Sequence, residues 1–174
     1  AAGPTAGEAA TGMTTLLSAG TEPLGVSGGV ATVRLAAVGG DPRTDRLRRG
    51  QVVWTLTQSP PVRRVRFAPP VAGADAPVGR ADYADLLPPI VVTGPTVGQR
   101  VTSPLTVTGT ADVFEATVSL RVLDAGGREI ATAFTTASCG SGCRGDYRAV
   151  VAWRAAREQA GTVEVYEVSA NDGS

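Results

Sequence analysis

Apolar positions change their rhythm near the middle of the chain, and the change divides the sequence into two parts of different texture. In the first part Ala9, Met13, Leu16 and Leu17 recur at intervals that predict a short helix within Gly7–Ser18, ended by Gly20-Thr21-Glu22-Pro23. Val30, Val33, Leu35 and Val38 predict a strand over Gly29–Val38. Asp41-Pro42 has the chemistry of a helix start, with Asp41 as N-cap and Pro42 at the first helical position. Leu47, Val52, Val53, Trp54 and Leu56 then give a broad apolar face over Asp45–Gln58, which Ser59-Pro60-Pro61 stops. In Val62–Phe67 the side chains Val65 and Phe67 alternate with Arg64 and Arg66, as in a half-buried strand. Helix, strand, helix and strand make residues 1–68 a mixed α/β module.

From Ala68 to Pro89 the pattern dissolves into Pro, Gly, Ala and Asp. Residues 69–87 read as a connection, with Tyr83, Leu86 and Leu87 available to anchor part of it. Beyond it, short β-rich runs recur at Ile90–Val92, Leu105–Thr110, Val113–Leu123, Glu129–Ala137, Tyr147–Trp153 and Thr162–Val168. Val118, Leu120 and Val122 alternate with Thr117, Ser119 and Arg121, and Asp124-Ala125-Gly126-Gly127 supplies a hairpin turn. So many short strands with almost no helical period predict a β-sandwich over residues 88–174. The whole chain is therefore α+β, a mixed α/β module followed by an all-β one.

Composition adds three constraints. The 12 prolines and 22 glycines of this 174-residue chain favour turns over long helices. The 16 arginines balance 16 carboxylates, so no global field draws the chain to nucleic acid or an acidic membrane. All the basic residues are arginine, which fits a GC-rich bacterial genome. There is no run of apolar residues long enough to span a bilayer.

Histidine and lysine are absent, which removes the usual general base, the Ser-Lys dyad, the Schiff base and the Walker phosphate loop. Gly25-Val26-Ser27-Gly28-Gly29 fits a nucleophile-elbow pattern, but the elbow needs a strand-to-helix turn and a base; here it reads as a Gly-rich turn. Glu115, Asp146, Glu167 and Asp172 are the carboxylates to consider for two-carboxylate glycan hydrolysis, yet aromatic side chains for a sugar cleft are few. The expectation is a chain that is not an enzyme and needs no cofactor.

Cys139 and Cys143 lie in Cys-Gly-Ser-Gly-Cys. A metal site would need further ligands, and a redox dithiol prefers a two-residue spacing at a helix start. A structural disulfide closing a tight loop fits best, and would place the chain outside the cytoplasm. Beside it, Arg144 either pairs with Glu115 while Phe114 packs in the core, or offers its fork of donors to a ligand carboxylate or phosphate. Asn171-Asp172-Gly173 is either a turn or, with Asp146, a calcium site. Arg43, Arg46, Arg48 and Arg49, with Arg63, Arg64 and Arg66, form either a solvated face or a patch for an anionic wall polymer or partner, and not for nucleic acid. Trp54 is expected in the core; Trp153 is ambiguous.

Several segments together resemble a known pair of modules. Gly3-Pro4-Thr5-Ala6-Gly7-Glu8 through Met13-Thr14-Thr15-Leu16-Leu17, then Gly29–Leu35, Gln51–Gln58 and Val62–Val65, resemble a GerMN domain. Pro88–Val92, Val101–Pro104, Gly109–Ala111, Val113–Val118, Gly142–Gly145 and Val165–Gly173 resemble the immunoglobulin-like domain associated with it. The resemblance implies an actinobacterial-type envelope protein of the sporulation and germination group, secreted or held outside the membrane by an upstream lipid anchor. GerMN domains are similar to the ring-building α/β modules of secretion assemblies. That implies docking to envelope proteins or self-assembly; the alternative reading is a module that binds peptidoglycan or another wall glycan. It also implies a strand and helix preceding Ala1 and a final strand following Ser174, or their supply by another chain. Arg144, Glu115, Arg63, Arg64 and Arg66 are the candidate binding surface.

Overall fold

In a computed structural model, residues 3–36, 40–68 and 76–168 are described, and the chain divides into two units, Ala1–Leu86 and Leu87–Ser174. Among the described residues no helix is long and apolar enough to cross a membrane.

In the first unit helix α1 spans Ala6–Ala10 and opens on a capping box: the Thr5 hydroxyl accepts from the Glu8 N–H at 3.3 Å, and the Glu8 carboxylate accepts from the Thr5 N–H at 2.7 Å. It ends where the Thr11 hydroxyl donates to the Glu8 carbonyl at 2.7 Å, well before the predicted end at Ser18. Leu16 is instead tied by its N–H to the Gln51 side chain at 2.9 Å.

Strands β1 (Glu22–Ser27) and β2 (Val30–Arg34) form an antiparallel hairpin, and helix α2 (Pro42–Leu56) carries the chain over to β3 (Arg64–Phe67), which lies parallel to β2. Such a parallel pair needs a crossover, and α2 supplies it. Its start is the one read from Asp41-Pro42: Asp41 Oδ1 accepts from the N–H groups of Arg43 and Thr44, each at 3.0 Å. Ala31, Val33, Val65 and Phe67 on the sheet pack with Val52 and Val53 of the helix. Trp54 and Leu56 are only partly buried beside them. Val38, assigned from sequence to the second strand, lies outside the described residues.

Part of the segment read as a connection is folded into this unit. Val78 bridges to Val65, and Arg80–Leu86 forms a short 3-10 turn that buries Tyr83 and partly buries Leu86 against the same core. Gly50 makes room for it, since a Cβ there would lie 2.8 Å from Leu86 Cδ1.

The second unit is a sandwich of two antiparallel sheets. β4 (Ile90–Gly94), β5 (Leu105–Ala111) and β8 (Gly145–Val151) make one; β7 (Glu129–Thr136), β6 (Thr117–Leu123) and β9 (Thr162–Tyr166) make the other. Leu105, Val107 and Ala111 face Val118, Leu120 and Val122 in the core, with Tyr147, Ala149 and Val151 from β8. Thr106, Thr108 and Thr110 alternate outward. The β6–β7 turn falls at the predicted Asp124–Gly127, where Asp124 Oδ1 accepts from the N–H groups of Gly126 at 2.9 Å and Arg128 at 3.0 Å. Gly109 is required by a close approach: a Cβ there would run into the Val91 carbonyl and the Tyr147 ring. The run read as Val113–Leu123 becomes a strand only at Thr117, because Phe114–Ala116 is a tight turn.

Candidate functional site

The disulfide Cys139–Cys143, with Cα atoms 5.7 Å apart, closes the loop between β7 and β8. That loop braces the turn before β6. Ser141 donates its N–H to the Val113 carbonyl at 3.0 Å, and its hydroxyl accepts from the Glu115 N–H at 3.1 Å. Gly142 donates to Asp112 Oδ1 at 2.8 Å, and Ala137 to the Ala116 carbonyl at 2.8 Å. Between these ties Glu115 and Ala116 sit at φ 52° and 57°, two successive left-handed residues that are not glycine. Each costs roughly 1–2 kcal/mol for an L residue, so the conformation persists because its surroundings fix it.

The turn presents Phe114 outward. Its N–H is held by Glu167 Oε1 at 2.7 Å, and its side chain is 55% exposed. The core position expected of Phe114 is taken by its neighbour Val113, which is buried. In place of an ion pair with Glu115, Arg144 spends its guanidinium on the chain itself. Nη2 donates to the Pro88 carbonyl at 2.6 Å, and Nη1 faces the carbonyls of Pro89 and Thr110, both at 3.4 Å, and Thr110 Oγ1 at 3.3 Å. Arg144 therefore fastens the disulfide loop to the start of β4. Glu115 remains exposed at the tip.

The other candidate arginines belong to the first unit. Arg64 and Arg66 stand on the open face of β3, in register with Val30 and Thr32. Arg64 Nη1 reaches the Pro77 carbonyl at 3.4 Å, and Arg63 is fixed through its backbone N–H to the Gly29 carbonyl at 2.8 Å. The α2 arginines differ: Arg46 grips Asp85 at 2.8 Å, and Arg48 and Arg49 both pair with Asp45.

Ser27 ends β1 and Gly28-Gly29 turns into β2, so the nucleophile-elbow pattern lies on a strand–turn–strand hairpin. Of the four carboxylates, Glu167 is occupied by the Phe114 amide, Asp146 lies in β8 opposite Thr110, and Glu115 is at the exposed tip. Asp172, with Asn171 and Gly173, is outside the described residues. Among those described, no group of three or more His, Cys, Asp or Glu side chains is placed to hold a metal.

One pair of residues escaped the sequence reading. Phe134 in β7 and Tyr166 in β9 both pair with Ser119 of β6, on the sheet face away from the core, and are 78% and 37% exposed. The signal was present in Thr132-Ala133-Phe134-Thr135-Thr136, whose alternation puts Phe134 on the side of Thr132 and Thr136.

Residues 89–174 match the family model described as the immunoglobulin-like domain of bacterial spore germination, and residues 1–73 match that described as sporulation and spore germination. No curated protein and no solved structure matches the chain.

Proposed function

From a chain related through both its units to bacterial sporulation and germination proteins, we infer that this protein works without covalent chemistry, by docking to an envelope protein outside the cytoplasm. The observation that carries the reading is the braced turn. An aromatic side chain held outward on two left-handed residues, with a disulfide loop behind it, is a costly way to build a corner and a good way to preorganise a contact. Phe114 supplies the apolar anchor, Glu115 the charged neighbour, and the disulfide and Arg144 the rigidity. Buried aromatic anchors dominate the energy of protein interfaces. The disulfide also supports an oxidising location, and a lipid anchor upstream would hold the protein at the outer face of the membrane.

The test is cross-linking on intact cells that express the full-length protein, with recovered partners identified by mass. One envelope protein, or a second copy of the chain, should be recovered reproducibly and lost in Phe114→Ala. Recovery of wall fragments alone, unchanged by that substitution, would sink the docking reading.

A further inference from the structure

The outer face of the β7-β6-β9 sheet carries a feature that the corner does not explain. Three cross-strand rows lie on it. The middle row is Phe134, Ser119 and Tyr166; one neighbouring row is Thr132, Arg121 and Glu164, and the other contains Thr136 and Thr117. Phe134, at 78% exposure, is the most exposed of the large apolar side chains described. Two strand spacings separate it from Tyr166, roughly 10 Å, and the small Ser119 lies between them on the middle strand.

We propose that this face binds an extended, uncharged β-1,4-linked glycan, with Phe134 and Tyr166 as its two stacking rings. Three properties of the face select that ligand. In an extended β-1,4-linked chain every second pyranose presents the same face, and the disaccharide repeat is close to two strand spacings. Two rings on alternate strands therefore meet equivalent sugars.

Around the rings, Ser119, Thr117, Thr132 and Thr136 offer hydroxyl groups that both donate and accept, which suits a ligand rich in hydroxyls. The guanidinium on this face is also already neutralised by carboxylates. Arg121 is paired with Glu164 at 2.6 Å, has Glu129 at 3.9 Å, and lies 5.8 Å from the centre of the Tyr166 ring. A phosphate polymer or an acidic peptide would find that guanidinium already engaged. A protein partner would find two rings set among threonines instead of a continuous apolar patch.

The test titrates the intact chain with cellohexaose and with the hexamer of N-acetylglucosamine, by calorimetry and by NMR shifts of the β6, β7 and β9 amides. Saturable binding to at least one hexamer is expected, much weaker for the matching disaccharide, which reaches one ring only. Phe134→Ala and Tyr166→Ala should each weaken it about tenfold, and Phe134→Trp and Tyr166→Phe should retain it. Because Phe134 is exposed, its replacement leaves the melting transition unchanged, which separates loss of binding from loss of fold. No binding to either hexamer, or binding indifferent to both alanine substitutions, would overturn the proposal. So would shifts on this face with a phosphate-bearing wall polymer or a peptide but with neither glycan. The result is independent of Phe114 and its partner, so the two proposals can fail separately.

Discussion

Gly109 and Tyr147 pack closely together in the sandwich, and each makes a prediction. Gly109→Ala forces a methyl group against the Val91 carbonyl and the Tyr147 ring, so β4 and β8 must shift. The expected cost is at least 1–3 kcal/mol, read as a lower urea midpoint. Burial raises the Tyr147 phenol above its ordinary pKa, and its oxygen has no hydrogen-bond partner among the described residues. Tyr147→Phe should therefore be neutral or slightly stabilising in the same denaturation series. Arg144→Lys is not conservative, because an ammonium cannot span Pro88, Pro89 and Thr110 at once. It should lower hydrogen-exchange protection at the start of β4. None of these fits was legible in the sequence. That Phe114 faces water and Arg144 binds carbonyls depends on chain segments brought together from far along the sequence, whereas pattern reading sees only neighbours.

At the scale of elements, legibility followed the strength of local chemistry. Helix α2 was readable because Asp41 and Pro42 both act within one turn, and β6 because its alternation is unbroken. Strand β1 was not: Pro23 and Gly25 weaken any strand signal, and none of its side chains is buried. The same local chemistry gives α2 a pH dependence. Hydrogen bonds from the Thr44 side chain and backbone hold the Asp41 carboxyl below its ordinary value. A depressed carboxylate contributes stability that is full above the unfolded-state pKa and drains away as pH falls through the folded-state value. Following α2 amides by NMR from neutral to acid pH should show that loss, Asp41→Asn should flatten it, and Asp41→Ala should fray the helix start at every pH. An unchanged acid limb in Asp41→Asn would assign the loss to other groups.

At the scale of the whole molecule, each unit owns a core. Phe67→Ala should cost the first unit about 3–5 kcal/mol, and Leu120→Ala should cost the second about 2–5 kcal/mol. Calorimetry should show each substitution lowering the transition of its own unit. Removing the disulfide with Cys139→Ser and Cys143→Ser opens a loop so short that its entropy is worth only about 2 kcal/mol. The second unit should remain folded, but with Glu115 and Ala116 free to leave their left-handed positions, visible as changed backbone shifts at Phe114–Thr117. Those two positions also have a meaning at the level of the gene. Every codon for glutamate or alanine is one base change from a glycine codon, and glycine would relieve the turn at either place. The chain thus lies beside sequences with a less strained turn that a single point mutation reaches, while holding residues that keep the corner stiff.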